Sequence, residues 1–460
     1  MARSYTSLKV LLFLLLPGAF LPSPALAGAS LLKEIIVLTN QADLEKSLRD
    51  GSYRGEAGIL RMKPEVAESF GMKVFINRDY LDARSGFARA EAFLDQARAA
   101  MMSKETEPQP GTHLKQIADN YLNHSRALGE ARQSLARYRE RLAAQADDRL
   151  REDAGREALD RLLQESLKKA ESRLRDSLGH FYNACRGIPE KESALTPENV
   201  EFVNEVFHRF KGEASEKHRA SFGLDRIEDY RDKTARMWKQ AFPDTFPYIS
   251  FIEDTVQRLR AQDCETDPLL FLALIRRESN FDAFAVSYAG AAGLTQMMPG
   301  TALEMGVKTV FYPDYLAEAG ELMDQERKTR AQAMAALHGI RESNRIAPAA
   351  RARALMQRAM ELCGQREKLH LRYRRELLES RADDRLNPSV AIEFGYRYFC
   401  ALMKEHGGDI SLALAAYNAG PGRVREYKGI PPFGETVRFR NRVLDYYRDY
   451  LRRLRTLPKS

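Results

Sequence analysis

The alternation of apolar and polar positions runs at a helical period over most of the chain. From His113 to about Leu178 a densely charged stretch places Leu128, Leu135 and Leu142 seven residues apart, and Leu167 and Leu174 repeat that spacing. Leu150 and Leu159 fall out of phase between them, so the pattern predicts a helical hairpin or short coiled coil rather than one continuous rod. After Thr196-Pro197, a good helix start, Val200, Val203, Phe207 and Phe210 share one face. Farther on, Leu269 to Ile275 is apolar all round, the mark of a buried helix, and Val390, Ile392, Phe394 and Tyr398 give another apolar face after Asn387-Pro388. Only near the start does the period shorten: Glu34 to Leu38 and Met72 to Ile76 look like strands, with turn signals at Asp50-Gly51 and Gly55. The fold class expected is mainly α, with a small mixed α/β start.

Breaks divide the pattern. Arg3 and Lys9 precede an apolar run from Val10 to Leu16, and Ala25-Leu26-Ala27 offers a small-x-small cleavage site. The run is shorter than the ~20 residues of a spanning helix, so residues 1–27 read as a secretory signal peptide, leaving no stable span after cleavage. No cysteine follows the cleavage site until Cys185, so a lipoprotein anchor is not expected, with an uncleaved N-terminal anchor as the alternative. Residues 28–110 form the mixed region, ending near Pro108-Gln109-Pro110-Gly111. Residues 111–244 carry the helical arm and linker helices, and residues 245–455 a further helical unit. The arm either holds a partner or packs on its own chain, and Trp238 either stacks on sugar or packs between units.

Composition narrows the function. The formal charge of +8 is modest for 460 residues and suits an anionic surface, but acidic and basic side chains are interleaved and no nucleic-acid motif accompanies them. Cys185, Cys264, Cys363 and Cys400 are too far apart for a CxxC site. Export permits a disulfide, and Cys264 with Cys400 is one possible pair beside free buried thiols. The eight histidines make no HExxH or clustered ligand set, and no G-x-S-x-G elbow is present, so neither a metal nor a serine nucleophile is expected.

The stretch that carries candidate chemistry begins at Asp267. Asp267 can cap a helix, Pro268 suits its first turn, and Glu278 falls in the last turn. Helix-end carbonyls there disfavour an ionised carboxylate, which biases Glu278 toward the neutral form a proton donor needs. A glycine-spaced, nearly uncharged loop follows, Ala289-Gly290-Ala291-Ala292-Gly293-Leu294-Thr295-Gln296-Met297-Met298-Pro299. Later come Ala415-Ala416-Tyr417-Asn418-Ala419-Gly420-Pro421-Gly422 and Ile430-Pro431-Pro432-Phe433-Gly434-Glu435-Thr436. Together with Glu278-Ser279, these segments resemble, in order, the motifs of the lytic transglycosylases, lysozyme-like enzymes of bacterial peptidoglycan. Thr295 stands where that family usually has Met, and Phe439 where it often has Tyr. The sequence also departs from the family between about residues 318 and 384, where charged helix-forming residues suggest two antiparallel helices, Ala331 to Leu337 and Leu355 to Leu378, around Ile346-Ala347-Pro348. An insertion of that length is tolerable as its own surface hairpin, and either roofs the groove, recruits an envelope protein or is solvated ornament.

The resemblance implies a lysozyme-like helical domain acting on glycan strands in the periplasm or outside the cell. It makes Glu278 the catalytic acid and Ser279, Gln296, Met298, Tyr417, Asn418 and Glu435 groove residues, with Tyr417 orienting Glu278. Asp282, the nearest other acid, reads as a turn cap. With a single carboxylate, Glu278 serves twice, and the substrate's own C6 hydroxyl attacks to leave a 1,6-anhydro end. Two other readings remain: a lysozyme- or chitinase-like hydrolase that passes the sugar to water, and a non-catalytic wall-binding scaffold.

Overall fold

In a computed structural model, the structure describes residues 24–103, 111–171, 173–189, 194–220, 222–226, 248–260 and 266–455. The leader up to Ser23, the 108–110 break, Trp238 and Cys264 lie outside these residues.

The described chain is mainly α, and no strand of more than an isolated bridge occurs in it. The first half runs α1 (Pro24–Asp50), α2 (Pro64–Ser69), α3 (Arg78–Met102), α4 (Thr112–Glu140), α5 (Glu152–Lys169), α6 (Leu174–Arg186), α7 (Val200–Glu213) and α8 (Glu216–Arg219). The second runs α9 (Ile249–Arg260), α10 (Pro268–Ser279), α11 (Pro299–Glu304), α12 (Asp314–Leu337), α13 (Ile346–Ser380), α14 (Pro388–Glu405), α15 (Ile410–Ala419), α16 (Pro421–Glu426) and α17 (Gly434–Arg455). The expected α/β start is corrected here. Glu34 to Leu38 lies inside α1, where Leu32, Ile35, Ile36 and Asn40 recur at helical spacing and are buried. Met72 to Ile76 is extended, but it pairs with side chains, not a strand: the Lys73 and Phe75 amides donate to the Asp148 and Asp147 carboxylates. The β-branched residues there mimic a strand's composition without a ladder partner.

The hairpin expected around the leucine heptads is built differently. α4 pairs with α3, and the seam is alanine and glycine: Ala83, Gly86, Ala90 and Ala97 face Ala127 and Ala131, so close that a Cβ on Gly86 would sit 2.8 Å from the Ala131 methyl. Leu142 lies past the end of α4. α12 and α13 form a second long hairpin, within which Ala331 to Leu337 and Leu355 to Leu378 run as helix. Its tip is not left to solvent. Ala333, Leu337, Ile340, Ala349, Ala352 and Met356 share one core with Ala100, Met101, Ile117, Ala118 and Tyr121 of the first hairpin. Polar contacts rim that core: Tyr121 Oη to His338 Nδ1 at 2.8 Å, Arg353 donating to the Ala100 carbonyl at 2.7 Å, and ion pairs Arg126–Glu342 and Arg345–Asp119.

The two hairpins belong to a repeat. Ala146-Asp147-Asp148-Arg149-Leu150 recurs letter for letter as Ala382-Asp383-Asp384-Arg385-Leu386, and each begins a short 3₁₀ turn. Arg149 holds Asp147, donates to the Gly55 and Met62 carbonyls and reaches Tyr138 Oη at 2.6 Å. Arg385 holds Asp383, donates to the Gly290 and Met297 carbonyls and reaches Tyr373 Oη at 2.6 Å. Both guanidiniums are buried with all their charge compensated, the arrangement that makes a buried ion pair tolerable. Glycine is needed in each copy: at Gly58 (φ 72°) and Gly293 (φ 76°) an added Cβ would lie 1.8 Å from the carbonyl oxygen of Arg149 or Arg385.

A buried ionic network joins the halves. Arg175 at the start of α6 contacts Asp409 at 2.8 Å and Asp225 at 3.0 Å, and Arg440 of α17 contacts Asp176 at 2.7 Å and Asp225 at 3.2 Å. The adjacent arginines hold the Asp176 carboxyl well below the usual range against the cost of burial. Cys400 is disulfide-bonded, whereas Cys185 and Cys363 are free thiols, Cys185 buried.

Candidate active site

α10 brings Glu278 to the surface from the middle of the core. The Asp267 carboxylate accepts from the Leu269 amide at 2.9 Å, Pro268 occupies the first turn, and Leu269 to Ile275 are buried on every side. Tyr447 Oη donates to the other Asp267 oxygen at 2.7 Å, tying the helix start to α17. Asn280 then takes φ 50° and ends the helix, so Glu278 stands in the final turn with the chain bending away after it. Its carboxyl is pushed up to about 8, first by burial, with Glu435 adding to the rise and Arg277 opposing it. Desolvation, more than the helix end, keeps this acid protonated near neutral pH.

The loop from Ala285 to Pro299 forms a shelf around the acid's helix end. Gln296, with φ 47°, donates its side-chain amide to the Ala285 and Gly293 carbonyls at 2.9 and 2.8 Å, which spends both protons on closing the loop. Arg385 grips the same loop through Gly290 and Met297, so the hairpin that carries Tyr373 fixes the shelf. Thr295 is buried, donating to the Ala391 carbonyl at 3.1 Å. Met298 stands 41% exposed at the lip, near the start of α11, and Tyr288 is more exposed still.

The third contribution is α15. Asp409 caps it by accepting from the Leu412 amide at 3.0 Å, and it stops at Gly420 with φ 85°. Tyr417 packs against Tyr398 and Phe399. Its hydroxyl donates to the Thr295 carbonyl at 2.7 Å rather than to Glu278, so the expected direct hold on the acid is replaced by a hold on the loop beside it. Burial raises the phenol well above its usual value, and the Glu278 charge adds to that, which places the two groups in each other's field. Asn418 Oδ1 accepts from Thr436 Oγ1 at 2.8 Å, linking α15 to the first turn of α17, where Glu435 is exposed.

The structure thus gathers Glu278, Tyr417 and Glu435, with the Gln296 loop and Asn418 as frame. Ser279 turns its hydroxyl back to the Ile275 carbonyl at 3.2 Å. Asp282 accepts from the Phe284 amide at 2.8 Å and is a turn cap. Two residues that shape the site, Arg385 and Arg277, do not stand out in the sequence pattern. The first had a signal in the repeated A-D-D-R-L; the second adjoins Glu278 in sequence, but its opposition to the effect of burial on that acid depends on the fold. Among the described residues, the acid acting on Glu278 is Glu435.

Residues 257–331 and 348–436 match the family model of the transglycosylase SLT domain. The chain carries a transglycosylase SLT domain over these two stretches. Only residues 332–347, the tip of the α12–α13 hairpin, fall between the matched stretches of the lytic transglycosylase domain. The 70 kDa soluble lytic transglycosylase of Escherichia coli is similar at 17% identity, over 93% of this chain and 71% of that one, with a TM-score of 0.29. An inactive variant of the lytic transglycosylase Slt of Pseudomonas aeruginosa is similar at 16% identity, over 95% and 72%, with a TM-score of 0.27. Those superpositions are loose, and the assignment rests on the family match and the site's geometry.

Proposed function

We propose that this lytic transglycosylase cleaves the β-1,4 bond between N-acetylmuramic acid and N-acetylglucosamine without water, leaving a 1,6-anhydro end. The observation that carries this reading is the desolvated Glu278, whose carboxyl is pushed up to about 8. A retaining glycosidase places a second carboxylate about 5 Å from its acid, and an inverting one sets a base across the sugar ring. Asp282 is committed to its turn, and Glu435 is exposed in the first turn of a separate helix.

In this reading Glu278 donates its proton to the leaving glycosidic oxygen. The carboxylate so formed then takes a proton from the C6 hydroxyl as that oxygen attacks C1. The C1–O4 bond breaks, the O6–C1 bond forms, and Glu278 ends protonated as it began. Intramolecular attack has an effective-molarity advantage over solvent water. Tyr417 acts as a positioning residue by fixing the Thr295 carbonyl. Ser279, Gln296, Met298, Asn418 and Glu435 line the glycan path in this proposal, Gln296 chiefly through backbone it holds in place. The apolar bulk of Tyr288 and Met298 at the lip excludes water from the reacting carbon.

No helix among the described residues is long and apolar enough to cross a membrane. Export by the N-terminal segment to the periplasm or exterior, where peptidoglycan lies, completes the reading.

Digestion of purified peptidoglycan followed by mass spectrometry tests it. Muropeptides should carry 1,6-anhydro ends, lighter by one water than hydrolysis products, and these should vanish with Glu278→Gln. Reducing ends from the wild type would assign a hydrolase instead.

A further inference from the structure

The repeat reaches the active site itself. The catalytic loop and its N-terminal counterpart match at Gly290 and Gly55, Gly293 and Gly58, Met297 and Met62, and Pro299 and Pro64. Gln296 and its counterpart Arg61 share the same left-handed backbone, φ 47° and 50°. Ala292 and Met297 form an isolated bridge, as do Ala57 and Met62. Tyr417-Asn418-Ala419 recurs as Tyr182-Asn183-Ala184 at the end of α6. The Asn418 contact with Thr436 recurs as well, Asn183 Oδ1 accepting from Asn199 Nδ2 at 3.0 Å. Glu198 precedes Asn199 as Glu435 precedes Thr436. The first half is a second copy of the catalytic frame.

What differs is the reacting group. In the second half Tyr417 holds the Thr295 carbonyl beside Glu278. In the first, Arg186 donates to the carbonyls of Leu60 and Arg61, the counterparts of Thr295 and Gln296, and its other nitrogen donates to Asn40 Oδ1 at 3.0 Å. In the same register Asp43 stands where the second copy has Glu278, but it is ion-paired with Arg61 at 3.5 Å, and Arg186 adds a second permanent cation on the same loop. Fixed positive charge against that carboxyl opposes the oxocarbenium character that develops at C1.

The groove has nevertheless not filled in. A cavity of about 540 Å³ opens between α1 and α7, lined by Thr39, Asp43, Arg61, Tyr182, Glu198 and Glu201 among others. Thr39 Oγ1 and Asn40 Nδ2 belong to residues 3% and 1% exposed and have no hydrogen-bond partner, and Arg61 Nε is also unpaired. Buried polar groups left unsatisfied cost about 1–3 kcal/mol each, so the persistence of those on Thr39 and Arg61 in the cavity wall points to a ligand that completes them. The Thr39 hydroxyl and the Arg61 Nε–H in the same wall as the Tyr182 ring suit a hydroxyl- and N-acetyl-rich sugar chain. Lys46, Arg61 and Arg209 share the cavity wall with Asp43, Glu198 and Glu201, so recognition there falls to hydroxyl and N-acetyl groups rather than to net charge.

We propose that the N-terminal half is a non-cleaving glycan-binding site, which grips a peptidoglycan strand in the groove between α1 and α7 while the C-terminal half cuts. The proposal rests on the substrate class given above, but not on the anhydro product.

The full chain bearing Glu278→Gln should be titrated calorimetrically with an N-acetylglucosamine hexamer and assayed for retention on purified sacculi. Two oligosaccharide sites per chain are expected. Ala42→Trp, on the exposed face of α1 that lines the cavity, should reduce them to one and weaken sacculus retention about tenfold or more, because one of two linked attachments is lost. Glu201→Lys, exposed on the opposite wall, is the second variant, and unchanged melting curves show that both remain folded. One site in parent and variants alike, or sacculus retention unmoved by either change, overturns the proposal. So does cleavage by the Glu278→Gln chain that Asp43→Asn abolishes, since the first half would then be catalytic. Reducing ends from the wild type would sink the transglycosylase product and leave the two-site count untouched.

Discussion

Replacing Glu278 by Gln tests the electrostatics of the site apart from its chemistry. The carboxyl moves from an ordinary value of 4.5 to about 8 on folding, chiefly by burial. Between those values the folded chain keeps a proton that the unfolded chain releases, so stability falls as pH rises through the window. The full penalty above pH 8 corresponds to about 5 kcal/mol, a ceiling that water in the open groove lowers to about 2–3 kcal/mol. Glutamine occupies the same volume and never ionises. The variant should therefore melt within about 1 °C of the wild type at pH 4.5 and about 2–3 °C above it at pH 9. Differential scanning calorimetry across pH 4.5 to 9 reads this directly. Cleavage by the wild type should decline as pH passes about 8, where the donor loses its proton, and the variant should be slower by at least 10²–10⁴-fold at any pH. A melting difference that stays constant with pH would show that Glu278 is not held neutral, and the acid role would fall with it.

Three further outcomes follow from the packing. Arg385→Met strands the buried Asp383 and frees the Gly290 and Met297 carbonyls, so it should cost about 3–5 kcal/mol in denaturant unfolding, and Arg149→Met should cost a similar amount through Asp147. Arg440→Met removes a partner of Asp176 and Asp225, whose carboxyls are both held below their usual range. Their stabilisation is present above about pH 4 and lost as pH falls below it, so acid unfolding should begin at a higher pH in this variant than in the wild type. Deleting residues 314–380 removes Tyr373 and the partner of the first hairpin; the shortened chain should lose cooperative unfolding, and a soluble, fully active product would show that the hairpin is dispensable.

Much of the site was legible in the sequence because its chemistry is local. Glu278 follows from a capped apolar helix, and the glycine loop and Tyr417-Asn418 announce themselves by spacing. The first hundred residues read poorly for two reasons. Ile35, Ile36 and Val37 have strand composition, yet their neighbours Leu32 and Asn40 set a helical period that wins through tertiary burial. The α3 helix hides because its seam is Ala83, Gly86, Ala90 and Ala97, residues that bury closely but give little hydrophobic amplitude. The repeat was present as five identical letters at Ala146 and Ala382, but its meaning lies in Arg149 and Arg385 making the same bonds in three dimensions.

The interlocked hairpins have a consequence for how such a chain can change. Tyr121 against His338 and Arg353 against the Ala100 carbonyl resemble the contacts of a homodimer, yet both partners are encoded once and cannot separate on dilution. In a true homodimer every substitution appears twice, so the surroundings of an acid cannot be changed in one subunit alone. Fusion removes that constraint. One half can tie its acid, Asp43, to Arg61 while its twin remains as it was, and the division of labour is inherited in a single reading frame.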